Sequence, residues 1–210
     1  MDFRQTVLEE GMNIFRQHGI KSLNMETILG HLEISKGTLH GMARTKEELL
    51  VQCVDAALER KLNHFSVLIE VATSELEAIL QLLHAQLKAL AGLHPDYLSD
   101  LKNHYPACWQ KTQHFASHNL HTHLSNLFSA GIKKQLFKPE TDPQLISKLL
   151  IAQINAVAEA GLLQEPENNF NSVYKLGFEL YVSALLTGKG QQVLEKVRTP
   201  KVGNSVPDLK

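Results

Sequence analysis

Apolar residues recur at three- and four-residue steps along almost the whole chain, while alternating runs of β-branched residues are nearly absent. That spacing places apolar side chains on single helix faces and gives a sheet nothing to bury, so the predicted fold is all-α. Phe3, Val7, Ile14 and Phe15 share one side of a helix over residues 3–18, closed by His18-Gly19. Asn24 caps a short second helix over 25–31, and Ser35 caps a third over 36–42. Thr45 with Glu48, and Ser74 with Glu77, are capping boxes that open long helices running to about residues 72 and 92. Pro95 and Pro106 bracket a short helix. Pro106 suits the first turn of a long one reaching about residue 130, because proline lacks an amide hydrogen that position cannot use. Residues 131–141 are predicted as a loop, 143–163 and 170–186 as two further helices, and 188–210, rich in Lys, Gly, Pro and Ser, as a mobile tail.

A chain of 210 residues can bury a sizeable core, either as one large domain or as a small head on a larger body. No apolar run approaches the roughly 18 residues that span a bilayer, and the charged start, Met1-Asp2-Phe3-Arg4, lacks a signal peptide's apolar stretch. The expectation is a cytoplasmic protein without membrane contact. Two cysteines, Cys53 and Cys108, suit a reducing compartment and suggest neither a disulfide scaffold nor a zinc finger. Net charge is −1, and residues 1–50 hold six Lys/Arg against seven Asp/Glu. Such a head gains little non-specific attraction to nucleic acid, although specific contacts need only a few well-placed groups.

Two brief helices joined by a short turn form a helix-turn-helix, whose second helix can enter a major groove. Its start, Ser35, Lys36, Gly37 and Thr38, is small and polar. Gly37 costs about 1 kcal/mol relative to alanine in a helix, so a close backbone approach is one reason for it to be there. A plain helical hairpin with a glycine fits the same pattern.

Four linked blocks sharpen the reading: Ile14-Phe15-Arg16-Gln17-His18-Gly19-Ile20, Asn24-Met25-Glu26-Thr27-Ile28-Leu29, Ile34-Ser35-Lys36-Gly37-Thr38-Leu39 and Thr45-Lys46-Glu47-Glu48-Leu49-Leu50. In order and spacing they resemble the N-terminal domain of the tetracycline-repressor (TetR) family; behind them the chain matches in length and helicity. The resemblance implies a helix-turn-helix DNA-binding domain over 1–46 and a helical ligand-binding and dimerisation domain over 47–187. It implies a homodimer that binds a palindromic double-stranded operator and is released by a small-molecule effector. On matching positions Ser35, Lys36, Gly37 and Thr38 would meet DNA, with Thr27 and Lys46, at the start of the fourth helix, on the sugar–phosphate backbone. His40 stands where the family usually has a tyrosine that touches phosphate, and it can still donate a hydrogen bond. Ala43 replaces a common packing phenylalanine, and Glu33 a common turn glycine. The alternative is a chain of the same fold that has lost DNA binding and holds only a small molecule or a protein.

Residues 145–163 are apolar over far more than one face, so that helix needs cover on both sides. Packing against a twin copy supplies it, through Leu149, Ala152, Ala156, Ala160, Phe178 and Tyr181; two well-buried helices of a monomer are the alternative. For the effector pocket the candidates are His84, Trp109 and Gln113, polar or amphipathic groups set among apolar neighbours. His114, His118 and His121 share a helix face, as metal ligands or as a polar stripe, and the stripe is preferred because no cysteine or carboxylate cluster accompanies them. No metal or other cofactor is expected. No phosphate loop, nucleophile elbow or His-Glu-x-x-His motif occurs, so no catalytic residue is assigned.

Overall fold

The computed structural model describes residues 2–165 and 168–198. Every extended element among them is helical; the only pairing of strand type is an isolated bridge between Phe137 and Leu186. The order is α1 (Phe3–His18), α2 (Met25–Leu32), α3 (Lys36–Met42), α4 (Lys46–Val71), α5 (Glu75–Ala91), α6 (Tyr97–His104), α7 (Pro106–Phe115), α8 (His121–Lys133), α9 (Pro143–Glu159), α10 (Phe170–Tyr174), α11 (Leu180–Ala184) and α12 (Gly188–Arg198). Single π-helical turns, Ala116–Leu120 and Lys175–Glu179, join α7 to α8 and α10 to α11.

The caps form as their side chains dictate. Asn24, Ser35, Thr45 and Ser74 each accept the amide three residues on, at 2.8–3.2 Å. In both capping boxes the glutamate reaches one residue further back than the cap itself: Glu48 accepts the Arg44 amide at 2.8 Å and Glu77 the Thr73 amide at 2.7 Å. Each box thus ties the incoming chain as well as the helix start.

Two hydrophobic cores lie along α4, whose 26 residues extend about 39 Å at a rise of about 1.5 Å each. The first half, Leu49, Leu50, Cys53, Val54 and Ala57, packs with α1–α3 around Phe15, Ile20, Ile28 and Leu39; Tyr97, Leu101 and Cys108 join that core from α6 and α7. The second half, Phe65 and Leu68, enters a body core built from α5, α8, α9 and the C-terminal helices.

The C-terminal region corrects the sequence expectation. Residues 188–198 form a helix, not a mobile tail, and Gly190 and Leu194 are buried in it; residues 199–210 lie outside the described residues. The segment predicted as the loop 131–141 is partly helical, since α8 runs to Lys133, and then buries Leu136 and Phe137 against the end of α11. Lys138 donates its amide to the Leu185 carbonyl at 2.9 Å and Thr187 to that of Leu136 at 3.0 Å.

Candidate nucleic-acid interface and ligand cavity

In the head, Glu33, Ile34 and Ser35 are the whole connection between α2 and α3. Glu33 takes a left-handed conformation (φ 52°, ψ 32°), which closes α2 by returning its amide to the Leu29 carbonyl. A side chain there costs roughly 1–2 kcal/mol that glycine avoids. Glu33 is exposed beside the start of α3, so its charge faces the same solvent as Lys36.

Helix α3 turns Leu39 inward and exposes Lys36, Gly37 and His40. Space inside the fold does not explain its glycines. A Cβ at Gly37 would meet nothing nearer than Ser35 Oγ at 3.8 Å, and at Gly41 nothing within 4 Å. Two glycines in a seven-residue helix therefore lower its stability while leaving its outer surface bare.

The other expected contacts are already engaged within the protein. The Thr27 hydroxyl donates to Asn24 Oδ1 at 3.0 Å, and the Ser35 and Thr38 hydroxyls lie 2.7 Å apart. Lys46 differs most from the expectation of a free cation. Its Nζ turns inward and donates to the carbonyls of Ile20 (3.0 Å) and Leu23 (2.7 Å), so it seals the α1–α2 turn. What α4 offers outward at that end is its backbone amides, not the ammonium. Ala43 is buried in the head core, and its backbone amide ends α3 on the Leu39 carbonyl.

In the body, a cavity of about 530 Å³ opens between α1, α4, α5, α6, α7 and α9. Trp109 and Gln113 line it, as the sequence predicts. His84 does not: it sits on another side of α5, edge-on to Phe170 and Tyr174, both with ring centroids 5.1 Å away. The apolar spacing of α5 allowed either orientation, because the helix packs on two neighbours.

Sequence reasoning missed Arg16, Lys61, Gln86 and Tyr97. The Arg16 guanidinium lies beside the Tyr97 phenol, which burial pushes up to about 12. Lys61 lies over Phe65 and Phe115, 5.9 and 5.7 Å from their centroids, and burial with the nearby Arg16 charge pushes its ammonium down to about 7. A signal existed, since Arg16 follows Met12 and Lys61 precedes Phe65 by four residues, on stripes that turn inward.

Cavity and head meet at α1, whose Met12 and Arg16 line the cavity, and again through α6. Asp100, buried, accepts the amides of Ile20 and Lys21 on one oxygen at 2.9 and 2.7 Å. The His94 amide donates to the Arg16 carbonyl at 2.7 Å. The residues around Asp100, Tyr97, Leu98, Ser99, Leu101 and Lys102, line the cavity.

On the outer side of the body, α9 presents a continuous exposed stripe: Leu145, Leu149, Ala152, Ala156 and, just past its end, Ala160. Leu176, Leu180 and Ala184 are exposed beside it, and Gln153 joins the two elements by donating to the Gly177 carbonyl at 2.6 Å. Tyr181 is half-buried. Phe178 corrects the expected seam: it is fully buried in the protomer's own core and has no surface to offer a twin. The π turn around it shifts the helix register, so Leu176 and Leu180 face outward in its place.

The His114 and His118 rings stack at 5.4 Å on the surface, whereas His121 approaches the Gln144 carbonyl at 3.3 Å. Among the described residues no group of three or more His, Cys, Asp or Glu converges as metal ligands would. Among the described residues no helix is long and apolar enough to cross a membrane.

This arrangement, a three-helix head on a helical body, is the fold of the TetR/AcrR transcriptional regulators. Solved structures superpose over nearly the whole chain. A TetR/AcrR-family regulator from Thermobifida fusca matches at a TM-score of 0.65 and 16% identity, covering 85% of this chain and 96% of its own. The fatty acid degradation regulator FadR from Bacillus halodurans matches at 0.68 and 16%, covering 88% and 97%. A structure from Saccharomonospora viridis in complex with choline matches at 0.72 and 13%, covering 88% and 97%. No family model and no curated protein matches the sequence.

Proposed function

We propose that this chain is a ligand-responsive transcriptional regulator that binds a palindromic operator as a homodimer and acts as a repressor. The observation that carries the reading is α3: a capped, exposed helix whose Gly37 and Gly41 answer no packing need of the fold. Close approach of a duplex gives them a reason. Lys36 then meets phosphate, Ser35, Gly37, Thr38 and His40 meet groove or backbone, and Thr27 and the α4 start grip phosphate at helix N-termini. The test is a gel shift against DNA flanking the protein's own gene. One palindrome-bearing fragment should be retained, and Lys36→Ala should weaken that retention and lower the salt slope by about one per lost phosphate contact. An unchanged slope removes Lys36 from the contact set. Equal, weak binding to all fragments would favour the alternative, a small-molecule or protein-binding module, with which the inward-turned Lys46 and the acidic head are in keeping.

The exposed α9 stripe, with Leu176 and Leu180, serves as the dimer seam; its alanines let two copies approach closely. Ala156→Trp should yield monomers in sedimentation, and an unaltered mass would remove that assignment. The effector occupies the cavity beside Trp109 and Gln113, as small-molecule pockets are mainly apolar with a few orienting polar groups. Ligands are found in relatives by fold: the Saccharomonospora viridis structure holds choline. The coupling runs through Asp100, since a guest that moves α6 also moves the α1–α2 turn and with it the heads.

A further inference from the structure

We propose that the guest of the cavity is an amphiphile with a single carboxylate head and an apolar body, its head held by Arg16 and Lys61. The assignment rests on reading the cavity as the effector site and names the chemistry that site selects.

The charges in the cavity do not balance. Its titratable lining consists of Arg16 on α1, Lys61 on α4, His94 ahead of α6, Tyr97 and Lys102 on α6, and Glu159 on α9. The lone carboxylate, Glu159, is taken by Lys102 at 3.2 Å. Among the described residues neither Arg16 nor Lys61 has a carboxylate in ion-pair reach; Arg16 has the neutral Tyr97 phenol and Lys61 the faces of two phenylalanines. Two cations turned into a cavity without a counter-ion cost desolvation energy that an anionic guest returns. A planar carboxylate matches the guanidinium fork, and a monoanion matches a site where Lys61 is close to losing its proton at neutral pH.

The rest of the wall is mainly apolar, with Met12, Leu58, Leu90, Leu93, Phe115 and Ile154 among its residues and Ser99, Thr112, Gln113, Asn155 and Gln164 set between them, and the volume is in the range that buries a drug-sized molecule. Gln86 is nine-tenths buried in this wall, and its side-chain oxygen has no hydrogen-bond partner. That oxygen can only accept, so it offers nothing to the carboxylate head and serves only a hydroxyl or amide hydrogen carried elsewhere on a guest. A quaternary ammonium would set its charge against two others of the same sign.

The chain has one tryptophan, and it lines the cavity, so its fluorescence reports occupancy directly. Full-length protein is titrated with decanoate, decanol and decyltrimethylammonium, which share a tail and differ in head charge. Decanoate should change Trp109 emission saturably, with an affinity at least about tenfold above decanol, a charge-assisted contact's worth, and decyltrimethylammonium should bind weakest. Raising pH from 6 to 9 should weaken decanoate, which stays ionised throughout while Lys61 loses its proton, and leave decanol unmoved. Lys61→Met should erase most of the decanoate preference and retain decanol binding. Equal affinities for the three amphiphiles in the unmodified protein, or a decanoate preference that survives Lys61→Met at every pH, would overturn the proposal. The operator assay is read separately: saturable decanoate binding by a protein that retains no DNA fragment sinks the regulator reading and upholds the ligand class.

Discussion

Asp100→Ala is expected to lower stability by about 3 kcal/mol and to leave the head unresponsive to the guest. One buried carboxylate oxygen holds the Ile20 and Lys21 amides, at 2.9 and 2.7 Å, at the turn that launches the helix-turn-helix. A hydrogen bond to a charged group contributes about 1.5–3 kcal/mol, and truncation orphans two donors at once in a partly buried place. Because the two bonds share an acceptor, their losses will not add fully, and about 3 kcal/mol is the sum to expect. Asp100→Asn keeps an acceptor oxygen and should lose roughly half as much. Urea denaturation measures both, and a midpoint shift in Asp100→Ala worth less than about 1 kcal/mol would show the contact to be ornamental. The functional arm is independent. If α6 carries the signal, a guest that releases operator from the native dimer should fail to do so in Asp100→Ala dimers that still bind DNA; full release would reassign the coupling to α1 and α4, which also line the cavity.

Gly190→Ala should destabilise by about 3 kcal/mol, against the usual direction. Within a helix this exchange ordinarily gains about 1 kcal/mol, because alanine has less backbone freedom to lose. Here the added Cβ would fall 2.1 Å from the Leu136 carbonyl oxygen and 3.0 Å from a Leu186 methyl. The nearest atom is backbone, and overpacking of that kind is relieved only by shifting an element. Since Thr187 and Lys189 also bond to the 134–136 segment, the displaced piece is α12 with the end of α8. Gly188, two residues earlier, is the control: a Cβ there meets nothing within 4 Å, so Gly188→Ala should be neutral or slightly stabilising. Thermal melts of the pair report the contrast, and two equal melting temperatures would mean that α12 does not sit tightly on Leu136.

These two sites also mark what the sequence could and could not disclose. Helix starts were legible because they are local: Asn24, Ser35, Thr45 and Ser74 act on amides three residues away, and no tertiary information is needed to see it. Helix α12 was illegible for the converse reason. Its Lys-Gly-Gln composition favours solvent, and contacts distant in sequence hold it: Gly190 against Leu136, Leu194 with Val193 and Val197 on the body core, and Arg198 paired with Glu179. Phe178 and His84 went astray on a common ambiguity, for a helix apolar on several sides does not reveal which neighbour each side meets. The π turn compounds this by changing the register in mid-helix. In the candidate cavity, Trp109 and Gln113 were visible as amphipathic groups in an apolar frame. Arg16 and Lys61 gave no sign of facing a cavity and Lys46 read as a backbone contact to DNA, because long flexible stems that turn inward leave little trace in composition.

The first hydrophobic core has a further consequence for how such a protein can be taken apart. Tyr97, Leu101 and Cys108, far past the helix-turn-helix in the chain, complete the packing around Phe15 and Leu50. A graft of the reading head onto a foreign scaffold, cut anywhere between α3 and α4, would carry an unfinished interior and strip Ile20 and Lys21 of their acceptor. The portable unit is discontinuous in the chain: α1 through the first half of α4, together with α6 and the start of α7. Modularity here belongs to the packing and ignores the order of the residues.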